Sequence, residues 1–404
     1  MHAGTVRRDV ERIAALRAEL EASKLDGLIC ALPGNVLLLS GYWPVVGTAV
    51  ALLGRDDTVV VIAPRDEFDF AEAGWANEII ALEKGDLDTL TTIPQALRAP
   101  LRRAIARAHL GDGSIGIESG LRFEPYSYVA TYRYGATLGD LLREDGIDAS
   151  PADDLLSRVR AQLTARECGR ASAACRIAQR AFTSAAPRLR PGLTETEAAS
   201  LFRAPLADSG DEAAVQRADG FAFCMSGANS ARAFGAYARS ATKRLREGEL
   251  VLVHCNSYAD GYWTDITRTY CLGDPDERQR AMYDAVFAAR AAALGAIRPG
   301  ARAADVDAAA RKVLVSRGFG AQFKHSTGHG VGFAAIDAGA QPRLHPASPD
   351  VLLEGMVCNV EPAIYFDGYG GIRHCDVVAV SANGCDVLTP FHTELADLVI
   401  GERG

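Results

Sequence analysis

The spacing of hydrophobic positions changes along the first third of the chain. Residues 6–22 carry apolar side chains at helical intervals, which predicts an amphipathic helix. Continuous apolar runs follow and predict buried strands at 27–32, 49–53 and 58–63. Residues 33–43 are turn-rich at both ends and finish in aromatic side chains that we expect to be exposed. Helices and strands joined by short connections are typical of an α/β unit.

The stretch DASPADD at 148–154 interrupts that pattern with a proline and acidic residues. Such a polar, turn-forming stretch between periodic segments predicts a domain boundary. We therefore expect an N-terminal domain over residues 1–155 and a C-terminal domain over residues 156–404.

Two helix starts in the C-terminal domain carry the same local signal. Thr164 with Glu167, and Thr194 with Glu197, are capping boxes. In a capping box the threonine hydroxyl accepts a backbone N–H three residues on, and the glutamate reaches back. The first helix should end before Pro187, because proline cannot continue the hydrogen-bond ladder.

The tripeptide Arg-Pro-Gly occurs at 190–192 and again at 298–300. Each copy follows a long helical segment rich in alanine and arginine and precedes a shorter one, at 196–202 and 303–315. Such a repeat predicts a domain with pseudo-twofold symmetry. Chance similarity between two alanine-rich helices is the alternative.

Ionisable side chains lie inside apolar or glycine-rich segments of the C-terminal domain, and these are His254, Asp265, His325, His329, Glu361, Arg373 and Cys375. Buried charges are costly unless they are paired or bind a metal. Singly, each has a structural explanation: Asp265 could pair with Arg268, Glu361 with Arg373, and Cys375 could be a core cysteine. Their concentration in successive segments favours one convergent site.

Composition excludes several classes of partner. Lys and Arg number 43 against 51 Asp and Glu, a net charge of −8 without a long basic run, so neither nucleic acid nor an anionic membrane is expected as a partner. No apolar stretch approaches the roughly 20 residues that span a bilayer. Nine scattered cysteines without a CxxC pair, and no apolar signal core in the first 20 residues, predict reduced thiols and a cytoplasmic location.

The order of these segments resembles the prolidase, aminopeptidase P and creatinase family, which has the pita-bread fold. The matching segments are GYWTDITRTY at 261–270, HSTGHGVG at 325–332, EGMVCNVEPAIY at 354–365, GIRHCD at 371–376, SGAN at 226–229 and NVLLLSG at 35–41. The resemblance covers nearly the whole chain. It implies an α+β protein in which a creatinase-like α/β N-terminal domain precedes a pita-bread domain, a pseudo-twofold antiparallel sheet with flanking helices.

In that family two aspartates, one histidine and two glutamates hold two divalent metals. By position, Asp265, His329 and Glu361 are retained, whereas His254 and Cys375 replace an aspartate and a glutamate. Two or three negative charges remain, depending on whether Cys375 ionises, and this suits one divalent ion better than two. We therefore expect Asp265, His329, Glu361 and Cys375 to bind one ion, Zn²⁺ or Fe²⁺ rather than Mn²⁺, or none.

The substrate side of the resembling site also differs. Phe234 and Ile336 stand where many family members have histidine, and His325 is retained. The resemblance makes Glu361 the general base and His325 the group that stabilises the oxyanion. We expect Phe234, Arg373 and Tyr365 to contact the substrate. Little or no standard Xaa-Pro dipeptidase activity is expected from the changed positions.

Three functions are open at this point. The first is hydrolysis of a small C–N bonded substrate, an amide, peptide or amidine, with one metal-bound water. The second is a metal-free, creatinase-like hydrolase in which His254 is the acid/base group beside Asp265 and Glu361. The third is a non-catalytic pseudo-peptidase that only binds its ligand.

The expected partner is a small molecule or short peptide, and the resemblance, with the aromatic segment at 41–44, predicts a homodimer.

Overall fold

The computed structural model describes residues 8–45, 48–83, 92–119, 137–234, 239–335 and 341–401. Val6 and Ile336, which figure in the sequence predictions, lie outside these ranges. The described residues up to 160 form one compact unit, and those from 161 onward form a second. No helix in these ranges combines the length and apolar character needed to cross a bilayer.

The first unit is built on a six-stranded sheet in the order β4-β3-β2-β1-β5-β6. The strands β1–β2 and β2–β3 pair antiparallel and the other neighbours pair parallel. Apolar strand residues pack with one face of α4 to form the core. The elements are α1 (Val10–Ser23), β1 (Gly27–Cys30), α2 (Pro33–Ser40), β2 (Val50–Leu53), β3 (Val59–Pro64), α3 (Phe68–Glu72), β4 (Glu78–Leu82), α4 (Ile93–Arg107), β5 (Ile115–Ile117), α5 (Thr137–Glu144), β6 (Ala149–Pro151) and α6 (Asp153–Ala161).

The aromatic segment after α2 is not exposed as predicted. Tyr42 is only 1% exposed, and its hydroxyl donates to Glu67 Oε2 at 3.2 Å. Gly41 adopts a φ of +71°, and a Cβ at this position would lie 2.4 Å from the ring of Trp75. Close packing of the turn against Trp75 therefore buries the tyrosine within its own unit.

The second unit contains three sheets. The largest has the order β16-β10-β8-β7 with β9 on β8, and the smaller ones are β11-β14-β15 and β12-β13. All pairs are antiparallel except β10 with β16. The elements are α7 (Ala165–Ala185), α8 (Glu195–Arg203), β7 (Ala218–Ser226), β8 (Leu250–Ala259), β9 (Tyr262–Trp263), β10 (Ile266–Leu272), α9 (Glu277–Ala296), α10 (Ala303–Ser316), β11 (Val357–Val360), β12 (Ala363–Phe366), β13 (Gly370–Arg373), β14 (Asp376–Ser381), β15 (Gly384–Val387), α11 (Leu395–Leu398) and β16 (Val399–Ile400).

Local signals in the sequence match the helices of this unit. Thr164 and Thr194 form the two predicted capping boxes, at the starts of α7 and α8. Helix α7 ends at Ala185, just before Pro187, because the proline cannot continue the hydrogen-bond ladder.

The two Arg-Pro-Gly copies have the same backbone surroundings. After the first, Gly192 N–H donates to Leu245 O, and Leu245 N–H donates to Leu193 O. After the second, Gly300 N–H donates to Leu352 O, and Leu352 N–H donates to Ala301 O. The repeat is therefore structural, and we call residues 190–272 the first half and residues 298–381 the second half.

Each half then leads into a strand through a glycine with positive φ. These are Gly248, at +74°, before β8 and Gly355, at +84°, before β11. Six residues beyond each glycine lie His254 and Glu361. These two positions are thus equivalent in the two halves.

Candidate metal and active site

A β-bridge between the two halves brings the first pair of candidate ligands together. Thr267 on β10 exchanges two backbone hydrogen bonds with Cys375, at 3.3 and 3.0 Å, although the residues are far apart in sequence. This contact places the Cys375 thiol 3.1 Å from the backbone oxygen of Asp265 and 3.5 Å from its Oδ1. Both side chains are buried.

The glycine-rich segment that contains His329 lies alongside β11. Asn359 N–H donates to His329 O at 3.0 Å, and Glu361 N–H donates to Thr327 O at 2.8 Å. A Cβ at Gly328 would lie 2.0 Å from the Asn359 carbonyl oxygen, so only glycine permits this approach. His329 and Glu361 consequently face the same site.

Three of the four predicted metal ligands form a compact cluster. Ligand atoms of Asp265, Glu361 and Cys375 all lie within 4.8 Å of one another. His329 is adjacent but outside that cluster, with Nε2 3.7 Å from Asp265 Oδ2 and 3.9 Å from Glu361 Oε1. Its Nδ1–H donates to Gly330 O at 3.0 Å, and its Nε2 accepts from the side-chain amide of Asn359 at 3.1 Å. Two carboxylates, a sulfur and an imidazole nitrogen are chemically suited to one Zn²⁺ or Fe²⁺ ion.

Both ring nitrogens of His254 form hydrogen bonds with residues of the first half. Its Nε2 is 3.1 Å from Asn256 Oδ1, and its Nδ1 is 3.0 Å from Thr267 Oγ1. The amide oxygen can only accept, so Nε2 carries the proton and Nδ1 accepts from the threonine hydroxyl. Burial lowers the pKa of His254 to about 4. The ring is therefore neutral, and both of its nitrogens are engaged.

The charged groups of the site are two carboxylates and one guanidinium. Arg373 Nε donates to Thr267 Oγ1 at 3.0 Å and lies 3.8 Å from Glu361 Oε2. Burial opposes the positive charge of Arg373, but Tyr365, Glu361 and Asp265 raise its pKa. Burial, together with Asp265 and Glu361, raises the pKa of Cys375 well above its usual range. Without a metal the site is thus one charge negative, with Cys375 as a thiol.

The predicted substrate-side residues lie next to one another. His325 Nε2 is 3.1 Å from the hydroxyl of Tyr365, whose ring centroid is 6.0 Å from that of Phe234. Phe234 is 43% exposed, and Lys324 Nζ lies 4.6 Å from its ring centroid. Phe234, Tyr365 and His325 therefore form a continuous wall, and Phe234 presents the exposed part of it.

The geometry of His325 does not fit the oxyanion role expected from the resemblance. Its Nδ1–H donates to Ser326 O at 2.7 Å. Burial and then the charge of Arg373 lower the pKa of His325 to about 4, so the ring is neutral and Nε2 is an acceptor. The Tyr365 hydroxyl donates to that nitrogen. His325 thus has no ring N–H left for an oxyanion and instead orients Tyr365.

Sequence reasoning missed two polar residues of the site. Asn359 contacts both His329 and Cys375, and Thr267 links His254 to Arg373. Signals for both were present, because strand periodicity places Asn359 on the same face as Glu361 and Thr267 on the same face as Asp265.

Comparisons with known proteins identify the family. The sequence model of metallopeptidase family M24 matches residues 170–382, and that of the creatinase/prolidase N-terminal domain matches residues 12–161. An Xaa-Pro dipeptidase of Pyrococcus horikoshii is 28% identical over 385 residues, which are 95% of this chain and 98% of that protein. The probable dipeptidase PepE of Mycobacterium tuberculosis is 33% identical over 293 residues, 67% of this chain and 75% of that protein.

Solved structures agree with the sequence matches. The crystal structure of the prolidase from Pyrococcus horikoshii OT3 superposes with a TM-score of 0.76 at 26% identity, covering 95% of this chain and 99% of that one. The prolidase from Pyrococcus furiosus gives a TM-score of 0.72 at 26% identity, over 93% and 99%. The fold and family predicted from the motifs are confirmed: the chain belongs to metallopeptidase family M24 and is a hydrolase that acts on C–N bonds, and this membership implies the use of divalent metal.

Proposed function

We propose that this protein hydrolyses a small C–N bonded substrate, with a short peptide as the leading class, at a site that holds one divalent metal ion. The observation that supports this most directly is the cluster of Asp265, Glu361 and Cys375, with ligand atoms within 4.8 Å and His329 beside it. Relatives across nearly the whole chain are Xaa-Pro dipeptidases, which makes a peptide the first substrate class to test.

Charge supports one ion rather than two. Asp265 and Glu361 contribute two negative charges, and Arg373 contributes a positive one inside the same buried group. One divalent ion leaves the site one charge positive, or neutral if Cys375 ionises on binding. Two divalent ions would leave two or three uncompensated positive charges with little access to water, at a large desolvation cost.

Each residue of the site has a definable part in such a reaction. A bound divalent cation supplies a Lewis acid and lowers the pKa of water. Glu361 takes the proton from the attacking water and passes it to the leaving nitrogen, as a general base and then a general acid. Its position is held by the Thr327 carbonyl at its backbone and by Arg373 at its carboxylate.

The wall made by Phe234, Tyr365 and His325 is the proposed substrate contact. An exposed phenylalanine ring offers an apolar surface and no proton, so the group that many family members use to polarise a dipeptide is missing here. We therefore expect slow turnover of ordinary Xaa-Pro dipeptides and a preference for a substrate with an apolar group at this wall.

No observation favours the metal-free alternative. A general acid/base must exchange a proton with the substrate, whereas both nitrogens of His254 are bound to Asn256 and Thr267 and the residue is 2% exposed. The remaining alternative is a pseudo-peptidase that binds without turnover.

The test combines metal content with turnover. Elemental analysis of the purified protein, before and after incubation with Zn²⁺, Fe²⁺ or Mn²⁺, should find at most one tightly bound ion per chain. A panel of Ala-Pro, Gly-Pro, peptides with bulky apolar residues and small amidines should then reveal a substrate that wild type hydrolyses and Glu361→Gln does not. Two tightly bound ions per chain, or Ala-Pro turnover on the order of 10 s⁻¹, would contradict the proposal.

The homodimer and the cytoplasmic location stay predictions. The separate N-terminal unit still supports the prediction of a dimer. The other argument, an aromatic segment at 41–44 expected to be exposed, is weakened because Tyr42 is buried. Sedimentation at micromolar concentration should show twice the 42.9 kDa mass of one chain, and a monomer alone would contradict it.

A further inference from the structure

The side-chain amide of Asn359 lies between two of the candidate metal ligands. Its Nδ2 is 3.1 Å from His329 Nε2 and 3.6 Å from Cys375 Sγ. Its Oδ1 accepts the backbone N–H of His329 at 2.7 Å. Asn359 is fully buried, with 0% exposure. One side chain therefore contacts the backbone and ring of His329 and the thiol of Cys375.

The partners determine which way the amide faces. Oδ1 accepts a hydrogen bond from the His329 backbone N–H. Nδ2 therefore points toward the imidazole of His329 and the thiol of Cys375. An amide nitrogen can only donate, so His329 Nε2 is the acceptor in the contact with Asn359, while its Nδ1–H donates to Gly330 O. The amide has two N–H groups, which is enough for the imidazole nitrogen and the sulfur together.

Apart from the His329 N–H, which the amide oxygen accepts, the two segments beside this contact are paired by backbone groups alone. Asn359 N–H donates to His329 O, and Gly330 forms a β-bridge with Cys358. Since these bonds survive removal of the side chain, the two segments should stay paired when Asn359 is changed.

We propose, as an extension of the proposed metal site, that Asn359 is a positioning residue that ties His329 to Cys375 and competes with a cation for His329 Nε2. An imidazole nitrogen has one lone pair, which either accepts the amide proton or binds a metal. A cation thus binds first to Asp265, Glu361 and Cys375, and gains His329 only when the hydrogen bond from Asn359 breaks.

Asn359→Ala tests the competition through zinc affinity. Removing one net hydrogen bond from the competing state should tighten zinc binding about fivefold. The matched control is Asn256→Ala, which removes an equally buried amide that contacts His254 instead, with Asn256 1% exposed. Zinc affinity, measured by competition with a chromophoric chelator, should be unchanged in the control.

Nitrogen-15 NMR of the histidine side chains in the metal-free proteins tests the hydrogen bond itself. The signal of His329 Nε2 should move toward that of an unprotonated nitrogen without a donor in Asn359→Ala, and should stay in place in Asn256→Ala. If loss of the amide prevents folding, Asn359→Thr is used instead, because threonine suits a strand and its side chain is too short to span both partners.

Each outcome bears on a different step. The same His329 signal in wild type and Asn359→Ala would overturn the hydrogen bond, whatever zinc does. Weaker zinc binding by Asn359→Ala would overturn the competition, by showing that the amide supports the metal. If zinc binds to none of the proteins, the competition fails together with the metal site of the proposed function, and the NMR signal shows separately whether Asn359 positions His329.

Discussion

The two halves of the second unit have the same backbone plan and different chemistry at equivalent positions. In both halves an Arg-Pro-Gly turn, a helix and a glycine with positive φ lead to a strand that approaches the site. The first half presents His254 there, and the second presents Glu361. His254 binds residues of its own half, Asn256 and Thr267, whereas Glu361 lies near His329 and Arg373 with its carboxylate toward the site.

This difference shows that one backbone arrangement can supply a reactive group in one half and a packing group in the other. A carboxylate at a buried position needs a cation or several donors, and Glu361 has Arg373 nearby and room for a metal. A neutral imidazole needs one donor and one acceptor, and His254 has both within hydrogen-bond distance. The asymmetry therefore lowers the negative charge of the site, which is why we expect one ion.

The largest effect should come from substituting the two equivalent positions separately. Glu361→Gln should lower kcat on the best substrate by at least about 10²-fold, because the general base is lost. His254→Gln should lower kcat less than about tenfold, because the imidazole only supports Thr267. Comparable losses of kcat would mean that His254 takes part in proton transfer and that the metal-free mechanism is the better description.

Placing a carboxylate at one changed position in each half should change the metal stoichiometry. The double substitution His254→Asp with Cys375→Glu adds two carboxylates beside Asp265, whose Oδ1 is 3.7 Å from His254 Nδ1. Three neighbouring carboxylates repel one another unless a cation binds. We expect elemental analysis to rise from one ion per chain toward two, while Cys375→Glu alone stays at one. A double variant that still binds one ion would show that other features of the pocket exclude the second.

The histidines of the two halves should make the metal-free protein sensitive to mild acid. The pKa values of His254 and His325 fall from 6.5 to about 4 on folding, so between these pH values the unfolded chain binds protons that the folded one does not. Their contribution to stability is complete above pH 6.5 and is lost as pH falls toward 4. Each should add about 1.4 kcal/mol per pH unit to the slope.

Urea unfolding of the metal-free protein at several pH values measures this slope. Burial is the main cause of both lowered pKa values, and the charge of Arg373 lowers both further. Arg311 adds to the lowering at His325, whereas Asp265 raises the pKa of His254. His254→Gln and His325→Gln should each flatten the slope. A slope that is unchanged in both variants would mean that neither imidazole is held neutral.

The smallest effect concerns the helix that follows each Arg-Pro-Gly turn. Helix α8 begins with the capping box of Thr194, whereas Arg302, the N-cap residue of α10, makes no side-chain capping hydrogen bond. Thr194→Ala should lower the free energy of unfolding by about 1 kcal/mol, and Arg302→Ser should raise it by a similar amount or less. Arg302→Ala is the control, since alanine cannot cap; an equal gain from it would point to the loss of arginine as the cause.

Local signals made much of the second unit predictable. Thr164 and Thr194 start their helices as predicted, because a capping box acts over four neighbouring residues. The repeat of Arg-Pro-Gly and the ionisable residues in apolar strands also pointed to the two halves and to one site. Tyr42 was predicted wrongly, since its burial depends on packing of the turn against Trp75, a contact that nearby residues do not encode.

The sequence by itself determined the family, the order of the elements and the identity of the ionisable residues, because these follow from motifs and from local periodicity. Only the tertiary structure decided what those residues do. The backbone pairing of Thr267 with Cys375, distant in sequence, brings Asp265 and the thiol together. The hydrogen bonds of Asn256 and Asn359 decide which nitrogen of His254 and of His329 carries the proton. Such assignments depend on partners that folding brings within about 3 Å, and no pattern along the chain specifies them.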